Sequence, residues 1–337
     1  MGKKGKRGKA AIGIDIGGTK SLYALLDEDF EVIAEEKLRS LPEKGGLKAF
    51  ERGMKKSLAT LLGEARRRNL DLKVAGVGCA GRIDMRSGTV LKAPNLPFLN
   101  GYPLGERVAK ITGGRVFVAN DVHTGLYGEC RLGAARKARN VLGVWVGTGV
   151  GGALVIDGRL YVGASGVAGD LGNYTLHAVD AAPDSPRKEV LDNVVSRTAI
   201  AGDAAVLAAR EHAPRLKDRA GTDVKDITSG DIADAIRRGD KSVEKLVKSR
   251  AAVLGAALSN LVDFLNPDMV VLGGGLVVAM PALLRREVGK SIKAHATPKT
   301  SRVLKVAVAK LGDHAGTIGA AVLAWDLAKG MRPVDLG

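Results

Sequence analysis

A short segment near the start of the chain combines a carboxylate, two glycines, a hydroxyl and a cation. Asp15 ends an apolar run, and the residues after it include Gly17, Gly18, Thr19 and Lys20. Glycines let backbone N–H groups approach phosphate oxygens, a threonine hydroxyl adds a hydrogen bond, and an aspartate can hold Mg²⁺ directly or through water. The segment predicts a phosphate-binding turn with a magnesium site at Asp15, although an ordinary hairpin turn could have the same composition.

Two further glycine-rich segments also follow apolar runs. In GTGVGG at 147–152, Thr148 and Gly149 are predicted to hold the other side of a phosphate chain. In the run that ends at Gly274 and Gly275, an adenine and its ribose could lie close to the backbone. Each segment alone could be a plain glycine turn or a helix-to-loop junction. The first two motifs together indicate a phosphate site much more strongly than either one.

Asn120 and Asp121 follow another short apolar run. Phosphate transfer to a hydroxyl needs a carboxylate that accepts the hydroxyl proton and a polar group that positions the substrate. We predict Asp121 as the general base and Asn120 as the positioning amide. The alternative is that the pair caps a helix over 122–131, a role that both residue types commonly fill.

The elements that must carry these residues alternate between strands and helices. A hairpin is predicted over 11–26, and strand, glycine turn and strand recur over 141–156, which indicates two duplicated lobes. The other predicted strands are 31–38, 73–79, 115–118, 269–272 and 303–309, and the predicted helices are 46–69, one from 229 or 230, 243–265 and 315–328. A loop is predicted at 181–187, where two prolines lie close together.

Length and composition narrow the class of protein. The 337 residues suffice for two domains, and 45 glycines with only 4% aromatic residues suit an α/β protein that surrounds a ligand closely. The two cysteines, Cys79 and Cys130, lie far apart, which argues against a disulfide framework or a cysteine-based metal site. No apolar run indicates a membrane span or a secretory leader. We therefore expect a cytoplasmic protein with no membrane partner.

The chain is strongly basic, with 52 Lys and Arg against 36 Asp and Glu and a formal net charge of +16. Such an excess attracts ATP, polyphosphate or nucleic acid, or simply favours solubility. No nucleic-acid-binding module accompanies the charge, so we expect no nucleic-acid partner. Residues 1–10 are rich in lysine and arginine and are expected to form a disordered basic tail.

Taken together, these motifs resemble those of the ROK family of sugar kinases and repressors, within the hexokinase, Hsp70 and actin superfamily. The resemblance covers nearly the whole chain. It is carried, in the family order, by DIGGTK at 15–20, APNL at 93–96, Asn-Asp at 120–121, GTGVGG at 147–152, DGRL at 157–160, Ala-Gly at 168–169, NPDMVVLGGGL at 266–276 and GAA at 319–321.

The resemblance implies an α/β protein with a two-lobed actin-like ATPase (ribonuclease H-like) fold, each lobe a mixed sheet with flanking helices. The small N-terminal lobe is expected at 11–119, with a helix at about 315–330 packing back on it. The large lobe is expected at 120–314.

The resemblance also implies an activity: ATP, with Mg²⁺, phosphorylates a hydroxyl of a hexose or hexose-like polyol, and the lobes close on binding. The family's catalytic aspartate corresponds to Asp121 and its sugar-contacting asparagine to Asn120. The loop around Asn95 is expected to face the same pocket, and a homodimer is implied.

The chain departs from the family pattern in the acceptor pocket. The family's E-x-G-H element appears with Asp170 and Asn173 in the outer positions, and the cysteine-rich zinc loop is missing. Asp192 is the best match for the glutamate that follows that loop. Loss of the histidine together with the three cysteines implies that no zinc is bound. Because the polar groups are shorter, a glucose-shaped site would be left with unpaired groups, so we expect a differently shaped acceptor.

Three alternatives belong to other classes of protein or use another phosphate donor. A repressor of this family would need a helix-turn-helix domain, and only about ten residues precede the first strand. A non-catalytic sugar sensor would have no reason to keep Asp15, Asp121 and both glycine loops. A polyphosphate-dependent sugar kinase would suit the positive charge. ATP remains the expected phosphate donor because the triple-glycine segment offers a nucleoside site.

Overall fold

A computed structural model of the chain describes residues 7–40, 45–178 and 188–334. The strands are β1 (Gly8–Ile16), β2 (Lys20–Asp27), β3 (Val32–Arg39), β4 (Leu70–Cys79), β5 (Arg82–Asp84), β6 (Thr89–Lys92), β7 (Arg115–Asn120), β8 (Val141–Val146), β9 (Val150–Ile156), β10 (Arg159–Tyr161), β11 (Thr175–Ala178), β12 (Lys188–Val190), β13 (Met269–Gly273) and β14 (Lys305–Val308).

The helices are α1 (Gly46–Arg67), α2 (Leu104–Thr112), α3 (Asp121–Arg131), α4 (Asp192–Val195), α5 (Arg197–Ala209), α6 (Pro214–Ala220), α7 (Ser229–Arg237), α8 (Lys241–Leu265), α9 (Gly275–Ala279), α10 (Pro281–His295), α11 (Pro298–Val303) and α12 (Ala315–Ala328). Short 3-10 helices cover Pro97–Leu99, Leu171–Asn173 and Gly312–His314. None of the helices in the described ranges is both long and apolar enough to cross a lipid bilayer.

The chain divides into two compact units. The first takes the described residues of 1–139, 154–168 and 310–337, and the second those of 140–153 and 169–309. Both the helix that follows Asn120 and the C-terminal helix α12 therefore belong to the first unit. Helix α3 and residues 154–168 lie in the first unit, whereas the predicted large lobe begins at residue 120. The difference arises because α3 packs against α12 and β4.

The first unit is built on a mixed sheet with strand order β3-β2-β1-β4-β7 among the described strands. β1 runs antiparallel to β2 and parallel to β4, and β4 runs parallel to β7. Ile16 pairs with Cys79 and Cys79 with Asn120, so the carboxyl ends of three parallel strands meet at one edge. The last residues of these strands, and the residues that follow them, are therefore close in space although they are distant in sequence.

Helices cover both faces of the first sheet. The larger core forms where α1 and α2 cover one face, and it includes the buried Ile12, Ile14, Met54 and Leu58. On the other face α12 lies so close to the sheet that neither Gly13 nor Gly76 could carry a side chain, because it would strike the backbone of α12. These glycines are needed for the approach rather than for their backbone freedom.

The second sheet repeats the strand pattern of the first. Its order among the described strands is β10-β9-β8-β13-β14, with β13 parallel to both β8 and β14. In the second unit α8 packs along α10, where Ser291 Oγ donates a hydrogen bond of 2.6 Å to the carbonyl of Ala252. The equivalent strand orders agree with the duplication predicted from the two glycine turns.

The α/β fold class is confirmed, and several predicted bounds are corrected. β1 begins at Gly8, which pairs with Leu70, so residues 8–10 are strand rather than disordered tail. The predicted strand 303–309 is shorter, because Pro298 begins a helix that ends at Val303 and β14 starts only at Lys305. The predicted loop at 181–187 lies outside the described residues.

Candidate active site

The first glycine turn connects β1 to β2 at the carboxyl edge of the first sheet. The backbone N–H of Gly17 donates to the carbonyl of Lys20 at 3.1 Å, which closes the turn. A side chain on Gly18 would lie 3.1 Å from Cβ of Asn95, so the structure brings the predicted acceptor loop next to this turn. Thr19 is exposed, as a hydroxyl that meets a phosphate must be.

Lys20 already has a partner in this unit. Its Nζ lies 3.0 Å from Oδ2 of Asp313, and both side chains are about half exposed. Asp313 belongs to the short segment before α12 and was not among the predicted site residues. The ammonium is therefore held at the turn by a carboxylate, and its predicted contact with a phosphate would have to share or replace this ion pair.

Asp15 is the last polar residue of β1 and lies directly against the first turn of α12. A side chain at Gly316 would strike the carboxyl group of Asp15, so α12 must have a glycine there. Burial and the nearby charge of Asp121 raise the pKa of Asp15 to about 7, and Lys20 lowers it only in part. Two carboxylates that repel each other in a confined place form a site that a divalent cation would stabilise.

Asn120 and Asp121 lie where β7 passes into α3. Oδ1 of Asn120 accepts hydrogen bonds from the backbone N–H groups of Val122 (2.9 Å) and His123 (3.2 Å), which caps the helix. Its Nδ2 donates to the carbonyl of Gly81 at 3.1 Å and to Oδ1 of Asp121 at 2.9 Å. The capping alternative is therefore correct for Asn120, and the same amide also orients Asp121.

Asp121 combines a raised pKa with a side chain fixed by hydrogen bonds. Burial raises the pKa of its carboxyl group to about 6, while hydrogen bonds from backbone N–H groups and from Asn120 limit the shift. A carboxylate with a pKa near the working pH is an effective general base. Gly78 of β4 leaves room for this turn of helix, because a side chain there would lie 2.5 Å from Thr124 Oγ1 and 3.3 Å from Cα of Asp121.

A buried carboxylate holds the segment that leads to Asp313 and Gly316. Glu129 of α3 is fully buried, and its Oε1 accepts hydrogen bonds of 2.8 Å from the backbone N–H groups of both Lys310 and Leu311. Its Oε2 accepts another of 2.7 Å from Ala134. Glu129 therefore fixes α3 to the chain just before α12, and sequence reasoning missed it.

The second glycine loop belongs to the second unit and connects β8 to β9. The N–H of Gly147 donates to the carbonyl of Gly149 at 2.8 Å, and Thr148 is exposed. Two contacts from α5 hold the loop: Arg197 N–H donates to the carbonyl of Gly147 at 2.9 Å, and Thr198 Oγ1 donates to that of Thr148 at 2.8 Å.

The triple-glycine turn follows β13 and lies beside the end of β8. Gly274 has a φ of 89°, a left-handed conformation that favours glycine, and a side chain there would strike the backbone of Val146. Gly275 is exposed and begins α9. The structure thus brings Gly274 and Gly275 next to the strand that leads into the second glycine loop.

The predicted acceptor residues of the second unit lie close to the second glycine loop. Asp170 and Asn173 flank a 3-10 turn, both are exposed, and Asn173 Nδ2 donates to Asp170 Oδ2 at 2.9 Å. Asp192, in contrast, accepts a hydrogen bond of 2.5 Å from the N–H of Val150 through its Oδ1. The three residues share one neighbourhood, but the carboxylate of Asp192 binds the protein backbone.

The described residues suit a Mg²⁺ ion held by one or two protein carboxylates rather than a metal ion whose ligands are all protein side chains. In residues 7–40, 45–178 and 188–334 no three His, Cys, Asp or Glu side chains are grouped to hold a metal. Mg²⁺ usually takes one or two carboxylates and completes its shell with water and substrate phosphates. Asp15, close to Asp121, offers such a carboxylate, and the expected lack of a zinc site stays a prediction.

Comparisons with known proteins agree with the motifs. The ROK family profile matches residues 11–326. A glucokinase of Halalkalibacterium halodurans is 30% identical over 312 residues, which cover 91% of this chain and 92% of that protein. A ROK family glucokinase from Streptomyces griseus, solved with glucose and AMPPNP, is 28% identical with a TM-score of 0.78, covering 94% of this chain and 99% of that one.

A solved ROK family transcriptional regulator has a similar fold. Its TM-score is 0.79 at 21% identity, and the alignment covers 96% of this chain and 80% of the regulator. This likeness concerns the fold alone, because kinases and regulators can share one architecture. The residues of the site must therefore carry the functional argument.

Proposed function

This chain is a member of the ROK family, and we propose that it is an ATP-dependent sugar kinase that phosphorylates a hydroxyl of a hexose or hexose-like polyol. One observation carries the proposal: Asp121 is half-buried, has a raised pKa and is oriented by Asn120 at the sheet edge that also holds Asp15. Family relatives named glucokinase support the same class of reaction.

In the proposed reaction Asp121 accepts the proton of the acceptor hydroxyl as its oxygen attacks the terminal phosphorus. The bond to the leaving ADP oxygen then breaks as the new phosphate ester forms. The raised pKa of Asp121 favours acceptance of the proton. The hydrogen bond from Asn120 fixes the orientation of the Asp121 carboxylate. Asn120 acts mainly by positioning Asp121, because its amide groups are engaged within the protein.

Each glycine turn, within its own unit, is proposed to bind phosphate oxygens of the donor. Mg²⁺, when bound with the nucleotide, would neutralise charge on the phosphates, and Asp15 would hold it directly or through water. Thr19 and Thr148 are exposed hydroxyls at the two turns, and Gly17, Gly18 and Gly149 are partly exposed. Gly274 and Gly275 are proposed to lie against the nucleoside, with Lys20 near the phosphates.

The residues proposed to contact the acceptor are Asn95, Asp170 and Asn173, whereas Asn120, predicted as a contact, is proposed to act through Asp121. Asp170 and Asn173 are exposed and are hydrogen-bonded to each other. A hydroxyl of the sugar substrate would therefore meet a carboxylate that accepts hydrogen bonds beside an amide that donates them. Because this pair is shorter than a glutamate and a histidine, we expect a sugar that differs from glucose in size or stereochemistry.

A coupled assay of ADP release tests the proposal. Wild-type protein with Mg·ATP is screened against hexoses, N-acetylhexosamines, anhydrosugars and cyclitols, with Asp121→Ala as the blank. Asp218→Asn is the matched control, because Asp218 is an exposed aspartate on α6. Turnover of one acceptor by the wild type and the control, but not by the blank, supports the proposal. No turnover of any acceptor, with nucleotide binding intact, contradicts it in favour of a sensor.

Polyphosphate is the alternative phosphate donor, and exposed positive charge on α10 and α11 favours it. Within the described residues Arg285, Lys290, Lys293, Lys299 and Arg302 are exposed on α10 and α11 and have no ion-pair partner. If polyphosphate replaces ATP, the rate of its reaction should fall steeply as the salt concentration rises.

The homodimer implied by the family is also a proposal, and sedimentation at several protein concentrations tests it.

A further inference from the structure

The first residues of α4 and α5 make specific contacts with the second glycine loop. Oδ1 of Asp192, the first residue of α4, accepts a hydrogen bond of 2.5 Å from the N–H of Val150. Val150 is the first residue of β9 and is buried. The bond therefore fixes the point where the loop ends and the strand begins.

The beginning of α5 holds the other end of the same loop. The carbonyl of Gly147 accepts from Arg197 N–H at 2.9 Å, and that of Thr148 accepts from Thr198 Oγ1 at 2.8 Å. Carbonyl oxygens repel phosphate oxygens, so a loop that binds phosphate must engage its carbonyls elsewhere. These contacts do so for two successive residues of the loop.

Space around Asp192 is closed by glycines on two sides. A side chain on Gly149 would lie 2.8 Å from Oδ1 of Asp192, and one on Gly172 would lie 3.5 Å from both Cβ and Oδ1. Gly172 belongs to the 3-10 turn between Asp170 and Asn173. The side chain of Asp192 is thus packed between the glycine loop and the turn that carries the proposed acceptor residues.

We propose that Asp192 is a positioning residue for the loop that binds the donor phosphates, and not a ligand of the acceptor. The inference rests on the proposed function. The negative charge of Asp192 is directed at the N–H of Val150, so that N–H is withdrawn from phosphate binding, and phosphate contacts fall to the remaining N–H groups of the loop. The absence of a side chain at Gly149 leaves the space that the carboxylate of Asp192 occupies.

Two substitutions separate positioning from acceptor binding. Asp192→Asn keeps an oxygen that can accept from Val150, whereas Asp192→Ala removes it. Asn193→Ala is the control, since Asn193 is an exposed neighbour on the same short helix. Affinity for Mg·AMPPNP is measured by calorimetry without acceptor, and KM for ATP and for the acceptor is measured where turnover is found.

We expect Asp192→Ala to weaken Mg·AMPPNP binding by about tenfold to a hundredfold, the range for loss of a hydrogen bond to a charged group. Asp192→Asn should stay within about threefold of the wild type, and KM for the acceptor should change less than KM for ATP in both variants. Amide hydrogen exchange at Val150 should accelerate in Asp192→Ala and stay slow in Asp192→Asn.

Contrary results are distinguishable from failure of the proposed function. If both variants raise KM for the acceptor alike and leave Mg·AMPPNP binding unchanged, Asp192 is an acceptor ligand and the inference is wrong. If the wild type turns over no acceptor, but the two variants differ in nucleotide affinity and exchange as expected, the inference stands and the sugar-kinase proposal fails. If the wild type binds no nucleotide, both are wrong.

Discussion

The side-chain amide of Asn120 donates a hydrogen bond of 2.9 Å to Oδ1 of Asp121, while its oxygen caps the helix that Asp121 begins. One residue thus serves two purposes that the sequence offers as alternatives. The cap sets the start of α3, and the start of α3 sets the position of the proposed base.

Replacement of Asp121 tests its role as general base. Asp121→Asn keeps the size of the side chain but cannot accept the hydroxyl proton, so we expect kcat to fall by about 10²–10⁴ with little change in nucleotide affinity. Steady-state kinetics and calorimetry measure the two effects, with Asp218→Asn as control. Wild-type turnover in Asp121→Asn would remove Asp121 from the mechanism.

The pH dependence of turnover follows from the same residue. Burial raises the pKa of Asp121 to about 6, and the base must be ionised to act. We therefore expect kcat/KM to rise about tenfold per pH unit below about pH 6 and to level off above it. The measurement is kcat/KM of the wild type from about pH 5 to about pH 8.5, with the coupling enzyme in excess at every pH. A flat profile would contradict the assignment of Asp121 as the base.

Stability should change with pH in the opposite direction. The folded state holds the proton of Asp121 more tightly than the unfolded state, whose carboxyl group titrates near 3.8, so stability is lost as the pH rises from about 4 through about 6. Asp121→Asn has no such titration and should gain about 1–3 kcal/mol relative to the wild type above pH 7. Urea unfolding of both proteins at pH 4.5 and 7.5 measures it, and an equal difference at the two pH values would refute it.

Gly316 is expected to be intolerant of a side chain because Asp15 occupies that space. Gly316→Ala should cost about 1–3 kcal/mol of stability and raise the Mg²⁺ concentration needed for half-maximal turnover, because the carboxylate is displaced. Gly202→Ala is the matched control: Gly202 lies in α5 with nothing within 4 Å, so this change should stabilise by about 0.5–1 kcal/mol. Similar behaviour of the two variants would show that the contact with Asp15 is unimportant.

Glu129 of α3 is expected to be sensitive to substitution because its buried carboxylate accepts three hydrogen bonds from backbone N–H groups. Glu129→Gln places an amide N–H against backbone N–H groups, so at least one buried donor loses its partner, at a cost of about 1–3 kcal/mol. Glu211→Gln, which disturbs only an exposed ion pair with Lys217, should cost less than about 1 kcal/mol. Denaturant unfolding compares the two, and equal costs would mean that the buried contacts contribute little.

Local sequence patterns predict the bounds of an element well where a continuous run of apolar residues marks it. The apolar run of β8 has the predicted bounds, and so does α12, whose small and apolar residues extend over its whole length. The loop at 147–152 is shorter than its glycines suggest, because pairing within the sheet extends β9 back to Val150. Here tertiary contact outweighs the turn preference of glycine.

Parts of the candidate site depend on contacts that no local pattern encodes. Lys20 and Asp313 meet across 293 positions of sequence, and Val150 and Asp192 across 42. The sequence shows a carboxylate at 192 but not which group it binds, since family resemblance indicates an acceptor and the fold supplies a backbone N–H. Gly316 gives no chemical signal at all, and its importance is visible only once Asp15 lies against it.

The close backbone contacts of α12 with β1, β4 and α3 limit the substitutions that evolution could accept in this protein. Gly13, Gly76 and Gly319 meet main-chain atoms rather than side chains, so a clash there cannot be relieved by a rotamer change. Changes in the proposed acceptor preference are therefore expected to arise by substitution of the exposed residues proposed to contact the acceptor, Asn95, Asp170 and Asn173. Libraries built to alter specificity should be concentrated there, while the glycine-lined interior is left untouched.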